Sequence, residues 1–114
     1  MAIKDLMNYP GENSWFDQLW LTTVEDNLSY LMTVNNVQAL NVDPIAHEHF
    51  KHNFHGYLRE NVTEQRKYWY VIMRCNNMRS PLEFDDKFDY IIWPKLDVID
   101  RLHDIYLASL PNTN

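Results

Sequence analysis

The sequence predicts an α+β fold: one small domain with a β-α-α-β core over about residues 37–94 and a C-terminal helix over about 95–110. Three observations predict it. Two short runs, Val37–Val42 and Tyr90–Ile92, are flanked by turn residues, as strands are. Between them lie two stretches with apolar residues at helical spacing. After Pro94 comes another such stretch, Val98, Ile99, Leu102, Ile105, Tyr106 and Leu110, stopped by Pro111.

The bulk numbers bound the answer. The 114 residues suffice for one core and not for two. With 46% hydrophobic and 14% aromatic residues, a packed fold is expected rather than disorder. The net charge of −6 argues against a nucleic-acid footprint, which needs clustered Lys and Arg. It argues equally against attraction to an anionic membrane surface. The single cysteine, Cys75, allows no intrachain disulfide, and its apolar setting predicts a small buried hydrophobe. The N-terminus lacks the apolar core of a signal peptide, and no run reaches the roughly 20 apolar residues of a membrane span. The chain is therefore expected to be made and folded in a cytosol.

Taken in order, residues 1–14 read as an arm, with Pro10-Gly11 suited to a type II turn. Residues 15–34 are open between two readings. Thr22-Thr-Val-Glu25 fits a capping box opening a helix through Met32; alternatively Leu19–Val24 and Leu28–Val34 are strands of a meander. The balance favours the helix, and a strand over Val37–Val42. Asp43-Pro44 then starts a helix, since Asp caps and Pro fits the first turn. Ala46, Phe50, Phe54, Tyr57 and Leu58 give that helix one apolar face, and it is expected to run unbroken to about Asn61. Thr63 is expected to cap a second helix ending at Asn76-Asn77, with Trp69, Ile72 and Met73 as its stripe. A loop follows through Ser80-Pro81 and Glu83–Asp89, then the strand Tyr90–Ile92, closed by Pro94. Asp97 is expected to cap the last helix.

The stretch Lys67–Asn77 is the most apolar and aromatic of the chain. With its neighbours it resembles the LysM-like baseplate wedge proteins of contractile-tailed bacteriophages. The resemblance rests on Tyr68-Trp69-Tyr-Val-Ile-Met73, Asn76-Asn77, Ser80-Pro81 and Ile91-Ile92-Trp93-Pro94, and covers about half the chain. The motif set is Tyr68, Trp69, Ile72, Asn76, Asn77, Pro81, Ile92, Trp93 and Pro94. The chain differs from the family at the turn Asn61-Val62 and over Asp85–Asp89, loops that would line a LysM sugar groove. The resemblance implies a structural subunit located in the virion, made in the host cytoplasm, present in several copies, and contacting other tail or baseplate proteins. It implies no cofactor and no enzyme activity. The plainer alternative is an aromatic core helix of an unrelated α+β domain.

Chemistry-bearing clusters are few. His47, His49, His52 and His55 fall close together, and on an unbroken helix Glu48, His52 and His55 would share a face able to hold a metal. The competing reading is a solvated polar face. Asp85, Asp86 and Asp89 lack the alternating ligands and central Gly of a Ca²⁺ loop. A phosphate loop is excluded because the only glycines are Gly11 and Gly56. Trp15, Phe16, Trp20 and Trp93 are candidate interface anchors, because aromatics dominate interface energies; packing into the chain's own core is the alternative for each. Two further functions stay open at this stage: a LysM-like carbohydrate-binding module, and a small acidic inhibitor of a host protein.

Overall fold

The computed structural model describes residues 12–110. Most of the expected arm, residues 1–11, lies outside the described residues. Helices α1 (Gln18–Asp26) and α2 (Leu28–Leu31) lead through a 3₁₀ turn, Val34–Asn36, into strand β1 (Val37–Asn41). Helices α3 (Pro44–His49), α4 (Phe54–Asn61) and α5 (Trp69–Cys75) follow, then β2 (Tyr90–Pro94) and the terminal helix α6 (Leu96–Ser109). The fold is the expected α+β class, with one two-stranded antiparallel sheet and a C-terminal helix.

The N-terminal third is helical, which removes the meander. Its start differs from the capping-box expectation. The Thr22 and Thr23 hydroxyls donate back to the carbonyls of Gln18 and Leu19 at 3.0 and 2.8 Å, so both threonines lie inside α1. Asp17 occupies the N-cap position with extended backbone. Trp20 and Val24 point inward and are fully buried.

The long helix expected over 44–61 is two helices. Asp43 caps α3 as expected, accepting from the Ala46 N–H at 2.7 Å. The chain then turns at His52, whose φ of 61° is left-handed. Two bonds from outside the segment hold it there. The His52 N–H donates to the Phe84 carbonyl at 2.7 Å, and Nδ1–H donates to the Leu82 carbonyl at 2.8 Å. Asn53 restarts the helix by accepting from the Gly56 N–H at 3.0 Å. A Cβ on Gly56 would stand 2.5 Å from Asn53 Nδ2, so the cap needs glycine there. The predicted apolar face survives the break: Phe54, Tyr57 and Leu58 are buried, and Ala46 and Phe50 pack against them.

Two further caps move. Thr63 accepts from the Gln65 N–H at 3.0 Å in a local turn, and α5 begins only after the 3₁₀ turn Arg66–Tyr68. Lys95, not Asp97, stands at the N-cap of α6, and Asp97 sits in its first turn where the helix dipole favours an acid.

In the sheet, Gln38 pairs with Trp93 and Leu40 with Ile91. The ladder continues past both ends, with the Lys95 N–H donating to the Asn36 carbonyl at 2.7 Å and the Val42 N–H to the Asp89 carbonyl at 2.8 Å. Antiparallel pairing alternates, so the even-numbered residues of β1 turn their backbone groups toward β2 and the odd-numbered ones turn theirs outward. On β2 the outward residues are Tyr90, Ile92 and Pro94, and a side chain meets the middle one. Asn76, at the end of α5, accepts from the Ile92 N–H at 2.8 Å and donates to the Ile92 carbonyl at 2.7 Å. Its amide also donates to the Ile72 carbonyl at 2.7 Å, closing the helix. Asn77 then takes the left-handed conformation expected past a helix end, with φ 61°.

The core lies between α1, α4, α5, β2 and α6. Phe54, Tyr57 and Phe84 form an aromatic cluster with ring centroids 5.1–6.2 Å apart. Each fully buried side chain of this size contributes about 1.5–3 kcal/mol.

Candidate contact surface

The sequence-predicted residues separate into three groups. Glu48, His52 and His55 do not come together. The break at His52 puts Glu48 on α3 and His55 on α4, and among the described residues no group of three or more His, Cys, Asp and Glu could hold a metal. His52 is engaged with Leu82, and His47 Nε2–H donates to the Phe88 carbonyl at 2.7 Å.

The motif residues do come together. Tyr68 is buried and its hydroxyl donates to Asp100 Oδ1 on α6 at 2.6 Å. Burial, then this acceptor, push the phenol's pKa well above its usual value. Trp69 Nε1–H donates to the Thr63 carbonyl at 3.1 Å, fixing the turn between α4 and α5. Ile72 is fully buried, and Asn76 fastens α5 to β2. Pro81 sits at the first position of a 3₁₀ turn whose entrance is doubly capped. Ser80 Oγ accepts from the Leu82 N–H at 3.2 Å, and Glu83 accepts from the N–H groups of Arg79 and Ser80 at 2.7 and 2.8 Å. Pro94 is buried at the end of β2, and Trp93 is half-buried beside it.

The anchor candidates divide. Trp15 and Trp20 belong to the chain's own core, at 6% and 0% exposure, which corrects their reading as exposed anchors. Trp15 stacks on His103 with centroids 3.8 Å apart and planes at 11°, and Lys67 Nζ lies 5.0 Å from its ring centroid. His103 also lies 2.9 Å from Ser14 Oγ. Burial holds the imidazole's pKa below its usual value. Phe16, in contrast, is 54% exposed, and Leu19 in the first turn of α1 is 63% exposed.

Phe16 stands at the rim of an apolar cleft of about 240 Å³, shared with Leu21, His55, Arg66, Trp69, Tyr70 and Met73. The cleft lies where the 3₁₀ turns Glu12–Phe16 and Arg66–Tyr68 meet α1, α4 and α5. The His55 ring lies 5.1 Å from that of Trp69, and its buried Nε2 has no hydrogen-bond partner among the described residues. Burial first, then the Arg66 charge, lower the pKa of His55 and favour the neutral ring. On the far side of Tyr70, Arg74 and Glu25 form a two-pronged ion pair at 2.7 and 3.0 Å, and the Tyr70 hydroxyl donates to Glu25 at 3.1 Å. A cleft with this lining can receive an apolar side chain. Outside it, burial pushes the Cys75 thiol up to about 12, far from a nucleophile's range.

Sequence reasoning missed Leu21, Arg66 and Met73 as cleft residues, and His103 as a core group. His103 carried a usable signal, since it lies one helical turn from both Ile99 and Tyr106 on the apolar stripe of α6. No helix among the described residues is long and apolar enough to cross a membrane. No protein-family model matches the chain, and no curated protein and no solved structure matches it either.

Proposed function

We propose that this chain is a structural subunit of a contractile phage tail baseplate, of wedge or hub-adaptor type, working through contacts with other tail proteins. The observation that carries the reading is that the motif residues serve one joint. Tyr68 ties α5 to α6, Trp69 ties it to the preceding turn, and Asn76 ties it to β2. Residues spent on holding elements in fixed relation suit a part that presents surface. The cleft rimmed by Phe16 and Trp69 supplies such a surface, sized for an apolar side chain of a neighbouring subunit. The proposal places the protein in the virion, assembled from the host cytoplasm, in several symmetry-related copies, with no role in binding nucleic acid or membrane.

The test is mass spectrometry of purified particles of the phage encoding this chain, with copy number calibrated against the tail sheath. About six copies, or a small multiple, is the expected result for a ring-shaped assembly. Absence from particles while the protein is abundant in infected cytosol overturns the proposal. Phe16→Glu should lower incorporation while leaving the isolated protein folded. Saturable binding of chitin or peptidoglycan fragments, followed by Trp fluorescence, would instead favour a carbohydrate-binding module.

A further inference from the structure

The two edges of the sheet are unequal. The outer edge of β2 is blocked at its middle residue, where Asn76 takes both backbone groups of Ile92, and the proline at position 94 has no N–H to offer. The outer edge of β1 is not blocked. The pairing alternation turns the N–H and C=O of Val37, Ala39 and Asn41 away from β2, and these groups have no hydrogen-bond partner among the described residues. Gln38, Ala39 and Asn41 are exposed.

Edge strands are usually guarded by a charge, a proline or a bulge. The segment Val37-Gln-Ala-Leu-Asn41 has no charged residue and no proline, and its register with β2 runs without interruption. Such an edge is a template for an added strand.

Charge says which strand. The ribbon formed by β1 and β2 is polar along its length. At one end the only charged residue among 35–37 and 93–95 is Lys95, next to Asn36 in the ladder. At the other end stand Asp43 and Asp89. A parallel neighbour of the same kind would set acid beside acid. An antiparallel neighbour related by a two-fold axis at Ala39 brings the Lys95 end of one ribbon to the Asp43 and Asp89 end of the other. It also sets the smallest side chain of the strand at the centre, where the two backbones meet.

We propose that the outer edge of β1 is a self-association edge, on which two copies of this chain pair β1 to β1, antiparallel about Ala39, into one continuous four-stranded sheet. Val37 of each copy faces Asn41 of the other, and Ala39 faces its own equivalent. The three pairs exchange about six backbone hydrogen bonds. The inference stands on the sheet geometry and is independent of where the protein works.

The experiment measures the mass of the full chain by light scattering across about 1–500 µM, with backbone amide exchange on the same samples. The expected result is a concentration-dependent dimer in which the Val37, Ala39 and Asn41 amides exchange more slowly as the dimer fills. Ala39→Pro removes the central outward N–H and leaves the Gln38 and Leu40 bonds to β2 in place. It should weaken association at least about ten-fold while the circular dichroism spectrum is kept. Ala39→Lys sets two like charges at the axis and should do the same, so the test survives if the proline variant fails to fold. A wild-type chain that stays monomeric over the whole range overturns the proposal. So does a dimer that Ala39→Lys leaves intact, or one whose three outward amides exchange as fast as in the monomer.

Discussion

Replacing Asn76 tests whether one side chain joins α5 to the sheet. Its amide makes three bonds, at 2.7, 2.7 and 2.8 Å, to Ile72 and both backbone groups of Ile92. Asn76→Ala leaves all three partners without it. Each neutral bond contributes about 0.5–1.5 kcal/mol, and water can re-enter this half-buried site, so the expected loss is about 2–3 kcal/mol. For a domain of this size that lowers Tm by about 8–12 °C. Asn76→Asp separates the two halves of the clamp. A carboxylate still accepts from the Ile92 N–H but turns an anionic oxygen toward the Ile72 and Ile92 carbonyls. Near neutral pH the Asp variant should therefore be worse than the Ala variant. The carbonyls raise the folded-state pKa of that Asp above its unfolded value of about 3.9, so the folded state binds the extra proton. The penalty is then largest above the raised value and shrinks as pH falls toward about 4, where a protonated carboxyl donates to one carbonyl. Urea unfolding followed by far-ultraviolet circular dichroism, with wild type measured at every pH, gives the differences. The reasoning is refuted if Asn76→Ala lies within about 0.5 kcal/mol of wild type, or if Asn76→Asp is the milder variant at neutral pH.

Three other outcomes are expected. His55 and His103 have pKa values lowered by burial from 6.5, so the unfolded chain takes up protons first. The stability this gives is complete above about pH 6.5 and is lost as pH falls toward the lowered folded values; a flat urea midpoint across that window would contradict it. Glu25→Gln removes the two-pronged pair with Arg74, which holds the Glu25 pKa below 4.5. Because Glu25 is partly exposed the cost should be only about 0.5–1 kcal/mol, smaller in high salt, and its contribution in the wild type disappears as pH falls below the usual carboxylate range. Cys75 should react with iodoacetamide at least about 100-fold more slowly in the folded chain than in urea, as mass spectrometry of timed samples would show.

What the sequence disclosed and what it withheld follow from the range of the forces involved. Both strands, the Asp43-Pro44 start and the helix end at Asn76-Asn77 are local matters of pattern and cap chemistry, and each was legible. The break at His52 was not, because bonds from Leu82 and Phe84, remote in sequence, hold a residue that does not favour positive φ. The apolar spacing across Asn53 favoured one helix. Thr22 and Thr23 show the converse: a capping pattern whose hydroxyls bond backward within a helix already begun. Aromatic residue type did not separate surface from core, so Trp15 and Trp20 turned inward while Phe16 stayed out. The cleft assembles from five elements, and no spacing in a single stretch announces it.

The Asn76 side chain has a consequence for assembly size. A two-stranded ribbon open on both sides is a monomer for a fibre, because every added copy exposes a new edge. Here the amide acts as a short false strand that takes the middle rung on one side. If two copies pair through β1 as proposed, the clamp on Ile92 hinders growth from the other side. Asn76 would then be a chain terminator as well as a tether, and losing it would free the middle of a second edge. A destabilised Asn76 variant would then err toward open-ended polymers rather than simply unfolding.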